Sequence, residues 1–454
     1  MTDRQDVLLQ GWGRSTGSRA RLRGPLAPEA LSELVSGRPA GGVLARGAGC
    51  SYGDAAQNAG GVVLAPATPS SITVDVLGGT VRAAGSAPFA QVLAKVVPEG
   101  LLLPVLPGTS RLTVGGAVAA DVHGKNQRAD GNLGHWLESV ELLDGTGQVR
   151  LLTPDQDGAA FAATVGGMGL TGVILAATIR LIPITSTRLR VTSRRAANLD
   201  ALLDELDAAA QASRYAAAWI DTTADGPRLG RGIVDRGDHL DDPDHPDDPD
   251  GPLGYAPARA PLAPRLPVGP VTPLTARAFN GLRYRKAPRE HTGVQGLSEF
   301  FHRLDAVREW NRSLGPRGFL QYQFAVPDPA AGLLGEALTV LRRAHAAPFL
   351  GTVKRFGHTG LGPLSFSLPG WSLAVDLPLA GDAGQARLRA ALDQLDRRVA
   401  EAGGRVYLAK DARLGRAAFE AMYRPLDDWR TARARLDPAD TMRSDLGRRL
   451  GLCP

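Results

Sequence analysis

LPVLPGTSRLTVGGAVAADVHGKN, residues Leu103–Asn126, is the stretch whose reading decides the fold. A Pro-Gly turn and a Thr-Val-Gly-Gly step lead into a small-residue helix. A polar cluster follows: His123, Gly124, Lys125 and Asn126. Gly108, Gly115 and Gly116 lack a Cβ, so backbone can approach a ligand closely there. Ala117, Ala119 and Ala120 keep the helix narrow. Unpaired N–H groups at such a helix start favour an anion such as a pyrophosphate. The pattern reads as a thin wall that cradles a large planar cofactor and sets polar groups at its edge. Tight helix packing is the plain alternative for a Gly-Gly-Ala run.

VLARGAGCSYGDAAQN, residues Val43–Asn58, favours the cradle. A short apolar strand enters the glycine-rich loop Arg46-Gly47-Ala48-Gly49-Cys50-Ser51-Tyr52-Gly53-Asp54. It lacks both the dinucleotide fingerprint G-x-G-x-x-G and the G-K-[ST] of a phosphate-binding loop. Two such loops, neither of those types, resemble the flavin cradle of vanillyl-alcohol-oxidase-type FAD enzymes. In that superfamily the first loop often reads R-S-G-G-H-S, with a His that can be tethered to the flavin. Cys50 stands at that position here, so the resemblance implies a non-covalently held FAD.

Further motifs narrow the resemblance. GWGR (Gly11–Arg14), SYGDAAQN, LPVLPGT, TVGGAVAADVHGKN, ATVGGMGLTGVI (Ala163–Ile174), EWNRSLGPRGFLQYQF (Glu309–Phe324), VKRFG (Val353–Gly357), LSFSLPGW (Leu364–Trp371) and YLAKDAR (Tyr407–Arg413) occur in this order. Together they are similar to the decaprenylphosphoryl-β-D-ribose 2′-oxidase family of actinobacteria. The likeness covers nearly all the chain except its start and residues Ala224–Pro273. It implies an α+β, two-domain flavoprotein, with an FAD-binding domain and an antiparallel-sheet substrate domain.

Composition sets the outer limits. The 454 residues suffice for two domains or more. Hydrophobic content of 43% and charged content of 22% suit an ordinary globular protein. Cys50 and Cys453 build neither a disulfide scaffold nor a zinc site, and no metal is expected. No apolar run reaches the roughly 18–20 residues of a membrane span. The start, MTDRQDVLLQGWGR, lacks a signal-peptide core. A cytoplasmic location, or a peripheral one at a membrane, is expected. A net charge of +6 and a pI near 9.6 attract anions. No basic tract interleaved with aromatics points to nucleic acid. The cationic residues are nearly all arginine: Lys95, Lys125, Lys286, Lys354 and Lys410 are the only lysines, and three lie in the motifs above. A buried lysine can give up its proton, whereas arginine cannot.

Three parts are expected. Residues 1–188 alternate short strands and helices and carry both loops, as the N-terminal part of the FAD-binding domain. Residues 189–404 form the substrate domain, with long helices such as Leu199–Ser213, Leu297–Leu314, Ala330–Ala347 and Gly384–Ala402. Strands such as Ala216–Asp221, Leu320–Val326 and Trp371–Leu377 lie between them. Residues 405–454, by the resemblance, return to the flavin domain. Gly237–Gly254 has seven aspartates and four prolines and reads as a mobile loop. His239 and His245 within it suggest solvated side chains rather than a metal site.

The site follows from the chemistry. A flavin takes hydride from an alcohol carbon while a base removes the hydroxyl proton, and the protein supplies binding and electrostatics. His123 is the first candidate base from the local pattern. Packing beneath the flavin is its plain alternative. The resemblance makes Lys410 the residue most readily called essential. Tyr52 borders the same space, as proton relay or as cofactor wall. The expected cofactor contacts are Arg46, Gly47, Ala48, Gly49, Cys50, Ser51, Tyr52 and Gly53 in the first loop. In the second they are Pro107, Gly108, Thr109, Thr113, Gly115, Gly116, Ala119, His123 and Gly124. Gly169, Val173 and Tyr407 complete them. Substrate contacts are expected from Lys125, Lys354, Gln321 and Gln323, with Trp219, Tyr284 and Phe301 on an apolar side. Gln321 and Gln323 share a strand face because alternate side chains do. Ser372 and Ala374 stand where mycobacterial members have Asn and Cys, which alters the pocket but leaves oxidation intact.

The resemblance implies a polyprenyl-phosphoryl pentose substrate, a 2′-keto product and a nicotinamide-dependent short-chain reductase that completes the epimerisation. It also implies quinone or oxygen as electron acceptor, and arabinan precursor synthesis for the cell wall. A soluble alditol or aldonolactone oxidase of the same fold is the enzymatic alternative. A non-catalytic polyprenyl-phosphate carrier is the alternative from another class.

Overall fold

The computed structural model describes residues 5–66, 70–241, 253–255 and 260–454. The first loop leaves the strand Val43–Ala45, which pairs in parallel with Val62–Leu64. Val62–Leu64 also pairs with Gly17–Arg23, and Gln5–Gln10 adds an antiparallel edge. A second sheet is antiparallel in the order Ile72–Asp75, Thr80–Ala84, Gly172–Arg180, Leu137–Asp144, Val149–Leu152. The helix Val114–Ala119 packs against Gly172–Arg180. Its small residues also let it close on the end of the strand Thr80–Ala84: a Cβ on Gly115 would lie 3.0 Å from the Gly85 carbonyl oxygen. Thr113 caps the helix by accepting from the Gly116 N–H.

Eight antiparallel strands form the third sheet. The order is Glu290–Gly296, Arg188–Ala196, Gly232–His239, Tyr215–Ile220, Leu350–Phe356, Gly370–Pro378, Phe319–Val326, Arg405–Val406. Strand alternation sorts its residues onto two faces. Tyr322, Phe324 and Val326 join Leu373, Val375 and Leu377 in a core under the helices Leu199–Ala212, Leu333–Arg343 and Asp382–Glu401. The opposite face carries Gln321, Gln323, Ser372, Ala374 and Lys354 toward the glycine loops. Beyond residue 405 the chain reaches back to the N-terminal part. Val43 and residues Thr441 and Arg443 exchange backbone hydrogen bonds, and the Trp429 indole donates to the Ala163 carbonyl.

Two expectations need correction. Leu297–Leu314 is not one helix. It divides into Leu297–Phe301 and the tighter turns Arg303–Ala306 and Trp310–Leu314. Asp305 leaves helical register to hold the second loop, and Glu309 sits at φ 49°, which stops a right-handed helix. Gly237–His239 is not loop. These residues end the strand Gly232–His239, and the His239 Nδ1 bonds the Ser186 carbonyl at 2.8 Å. The rest of that expected loop, including His245, lies largely outside the described residues.

Candidate active site

Between the glycine loops and the large sheet lies a cavity of about 850 Å³. On the loop side, the N–H groups of Gly47, Ala48, Gly49, Cys50 and Ser51 meet no acceptor among the described residues, whereas Arg46 and Tyr52 on either side are bonded. Consecutive unpaired donors are an anion seat. Nothing lies within 4 Å of where a Gly108 Cβ would be, so that glycine opens onto the cavity. The loops interlock: a Cβ on Gly47 would strike the Thr113 hydroxyl at 2.2 Å. Arg46 holds its own loop by donating to the carbonyls of Ala56 and Gln10. Asp305 fastens the second loop, accepting from Thr109 Oγ1 at 2.6 Å and from the Ser110 N–H at 2.7 Å.

Pro107, Thr109, Thr113, Gly115, Gly116, Ala119, His123, Gly169, Val173 and Tyr407 also line the cavity. Gly53 and Gly124 do not. A Cβ on Gly53 would meet the Asp411 carbonyl at 2.0 Å, and one on Gly124 would meet the Asn126 side chain at 2.6 Å. Both glycines admit neighbouring chain rather than ligand.

On the sheet side, cross-strand register sets Gln323 opposite Ala374, Lys354 opposite Ser372 and Gln321 opposite Asp376. The Gln323 amide donates to Ser372 Oγ and lies 3.1 Å from His123 Nε2. His123 is packed among Phe356, Phe366 and Tyr407, with ring centroids 5.0–5.5 Å away. Burial, then the charges of Lys354 and Lys410, holds its pKa well below 6.5. It is a neutral imidazole whose Nε2 lone pair accepts from Gln323. His123 is thus held neutral at the cavity wall, with its lone pair engaged by Gln323. Tyr407 donates to the Ala120 carbonyl and stacks on Phe366, so it braces this corner.

Three lysines converge here. Lys125 donates to the Phe300 carbonyl at 2.8 Å and rests on the Phe300 ring. Lys410 sits 3.7 Å above the Tyr52 ring. Lys354 projects from the middle of the sheet. No carboxylate among the described residues forms an ion pair with any of them. Burial therefore lowers Lys125 to about 7, and Lys354 and Lys410 to about 8. Burial lifts Tyr52 well above 10, so it stays a neutral phenol. It likewise lifts the Cys50 thiol to about 11, which makes it a poor nucleophile.

Asp376 was not foreseen. It is fully buried, accepts from Gln321 at 2.5 Å, and its other carboxylate oxygen has no partner among the described residues. Burial raises it to about 7, while the field of Lys410 opposes that rise. The alternation Ser372, Ala374, Asp376 was the available signal. Trp219 and Tyr284 are not among the residues that line the cavity. The Trp219 ring lies under Arg283, and Tyr284 is held between Arg195 and Arg231, away from the cavity wall. Phe301 does line it, together with Phe300 and Leu304.

The cradle fits a flavin dinucleotide: unpaired N–H donors for the pyrophosphate, glycines that clear space, and a polar sheet wall facing them. Sequence comparison agrees. The FAD binding domain family matches residues 37–153. An alditol oxidase of a Streptomyces species is 32% identical over 38% of this chain and 41% of that protein. A cytokinin dehydrogenase of rice is 32% identical over 31% of the chain. A decaprenylphosphoryl-β-D-ribose oxidase of Mycolicibacterium smegmatis is 39% identical over 98% of this chain and 97% of its own length. Similarity of that extent, over both loops and the whole sheet wall, places the chain in the decaprenylphosphoryl-β-D-ribose oxidase family of FAD-dependent oxidoreductases.

Proposed function

We propose that this enzyme oxidises the 2′-hydroxyl of decaprenylphosphoryl-β-D-ribose, or a close polyprenyl-phosphoryl pentose, to the 2′-keto sugar. The observation that carries this is a pair of half-buried lysines, Lys125 and Lys354, that form no ion pair with a carboxylate among the described residues and face a cofactor cradle beside Lys410. A phosphodiester supplies the missing negative charge, and a free alditol does not. Phe300, Phe301 and Leu304 extend the cavity with apolar surface suited to the prenyl chain. Anaerobic mixing tests the reading. A short-chain prenylphosphoryl ribose should bleach the enzyme's flavin absorbance and free ribitol should not. The reverse order would make this an alditol oxidase.

Bound FAD supplies the hydride acceptor; the chain manages the proton. Alcohol oxidation removes hydride from carbon and a proton from oxygen. Lys125 and Lys354 hold the phosphate, and Gln321 and Gln323 orient the ring hydroxyls. Lys410 takes the hydroxyl proton, because its lowered pKa keeps part of it neutral near pH 7. Tyr52 keeps the ammonium in place, and Asp376 stabilises it once protonated. A nicotinamide-dependent short-chain reductase would then reduce the ketone from the opposite face, and quinone or oxygen would reoxidise the flavin.

Two expected outcomes concern residues that differ from relatives. Acid precipitation should release FAD into the supernatant, because Cys50 is a half-buried thiol whose raised pKa keeps it protonated; yellow colour retained in the washed pellet would contradict this. Ala374 lines the cavity and offers no nucleophile. Nitroaromatic compounds that bond to a cysteine at this position should leave the wild-type mass unchanged and add to Ala374→Cys. Intact-protein mass spectrometry after turnover reads both results.

A further inference from the structure

The helix Pro273–Lys286 has an inverted surface. Its inward side is small or polar: Ala276, Asn280 and Gly281 are buried. Its outward side is apolar, with Leu274 77% exposed, Phe279 57% and Leu282 51%. At 100° per residue these three span one arc of the helix, with Ala278 between them. Four cations and no acid occur in its fourteen residues. Across residues 252–289 there are seven cations and no acid.

A second cavity of about 270 Å³ runs along the same helix. Leu274, Ala278 and Gly281 form one side, and Arg228, Arg277 and Arg285 are set around it, with Asp225, whose carboxylate is paired with Arg342, and Arg231, which is paired with Asp221. Arg228, Arg277 and Arg285 make no ion pair with a carboxylate among the described residues. The helix also reaches the active-site cavity, because Arg283 from its inner side lines that cavity. No helix among the described residues is long and apolar enough to cross a membrane.

We propose that this helix face and its arginine-lined groove dock the enzyme on an anionic lipid surface, with a lipid phosphate in the groove. Exposed apolar side chains flanked by cations are the composition of an interfacial helix. Charge complementarity selects anionic lipid over zwitterionic lipid, and over a second copy of this equally basic chain. The inference rests on the reading of a polyprenyl-phosphoryl substrate, since docking here would bring the mouth of the cavity to the bilayer that holds the prenyl chain.

Co-sedimentation of the holoenzyme with phosphatidylcholine vesicles, with and without phosphatidylglycerol, tests it. Binding should require phosphatidylglycerol and weaken with salt. The double variant Arg277→Gln/Arg285→Gln should partition less, by roughly fivefold for each cation removed. Phe279→Ser/Leu282→Ser should lose about tenfold. All variants should reduce their flavin normally with a water-soluble short-chain substrate. Equal binding to both vesicle types, or wild-type binding by both double variants, overturns the proposal. So does self-association abolished by Phe279→Ser/Leu282→Ser without vesicle binding. If the soluble substrate fails to reduce the wild type, the substrate reading falls, and vesicle binding is judged separately.

Discussion

Lys410→Ala should bind FAD and fold normally, yet lose flavin reduction by about a hundredfold or more, the scale of a positioned proton acceptor. The expectation rests on placement. The ammonium lies 3.7 Å above the Tyr52 ring, at the junction of the first glycine loop and the sheet wall. Burial brings its pKa to about 8, within reach of neutral pH. Because the neutral amine is the active form, reduction should rise with pH and level off above about 8. Lys410→Arg should not rescue, since arginine keeps its proton. Asp376→Asn removes the negative charge that favours the ammonium, so the rising limb should move to lower pH. Stopped-flow reduction across a pH series, with bound FAD measured spectroscopically, checks all three variants. Wild-type reduction by Lys410→Ala would sink the assignment and return His123 to first place. In that case Gln323, which now occupies the His123 lone pair, should be seen to move on substrate binding.

The parts of this site that were legible in the sequence are those encoded by local geometry. Glycine at positions 47, 108, 115 and 116 marks backbone that must come close to something, and the loops do form one wall. But the N–H groups expected free at the helix start are taken by Ala87, Gly85 and Thr113, and the unpaired donors lie in the first loop instead. The two-residue period of a strand put Gln321 and Gln323 on one face, and they stand there together. Features set by long-range partners were not legible. Leu297–Leu314 has helix-compatible residues throughout. The pull of Thr109 and Ser110 on Asp305, nearly two hundred positions distant in sequence, breaks it. Trp219 and Tyr284 have the aromatic character of a lipid-lining wall. Arginines from the chain around them claim both rings, and no spacing rule announces that. Asp376 looks like a surface residue inside VDLP, until the register sets it against Gln321 and within the field of Lys410.

Replacing Lys354 with Met should raise the KM for the prenylphosphoryl substrate by roughly tenfold to a hundredfold, the range for losing one charge-assisted hydrogen bond. The maximal rate of flavin reduction should change little. Methionine preserves length and apolar contact, so the loss reports charge rather than packing. Lys354 suits this test because burial is the only influence on its pKa and no carboxylate of the chain neutralises it. A ligand anion would restore the proton that burial weakens. Binding should therefore be strongest below about pH 8 and fade as the free lysine loses its charge. That trend runs opposite to the rise in reduction rate, so kcat/KM should pass through a maximum while the limiting rate does not. Lys125, at about 7, should contribute a second and earlier loss. The Lys125→Met/Lys354→Met pair should then show a KM nearly independent of pH. If Lys354→Met instead lowered the limiting rate and left KM unchanged, the lysine would act on the reacting hydroxyl. The phosphate would then have to be sought nearer Lys125 and Arg303, which share the cavity.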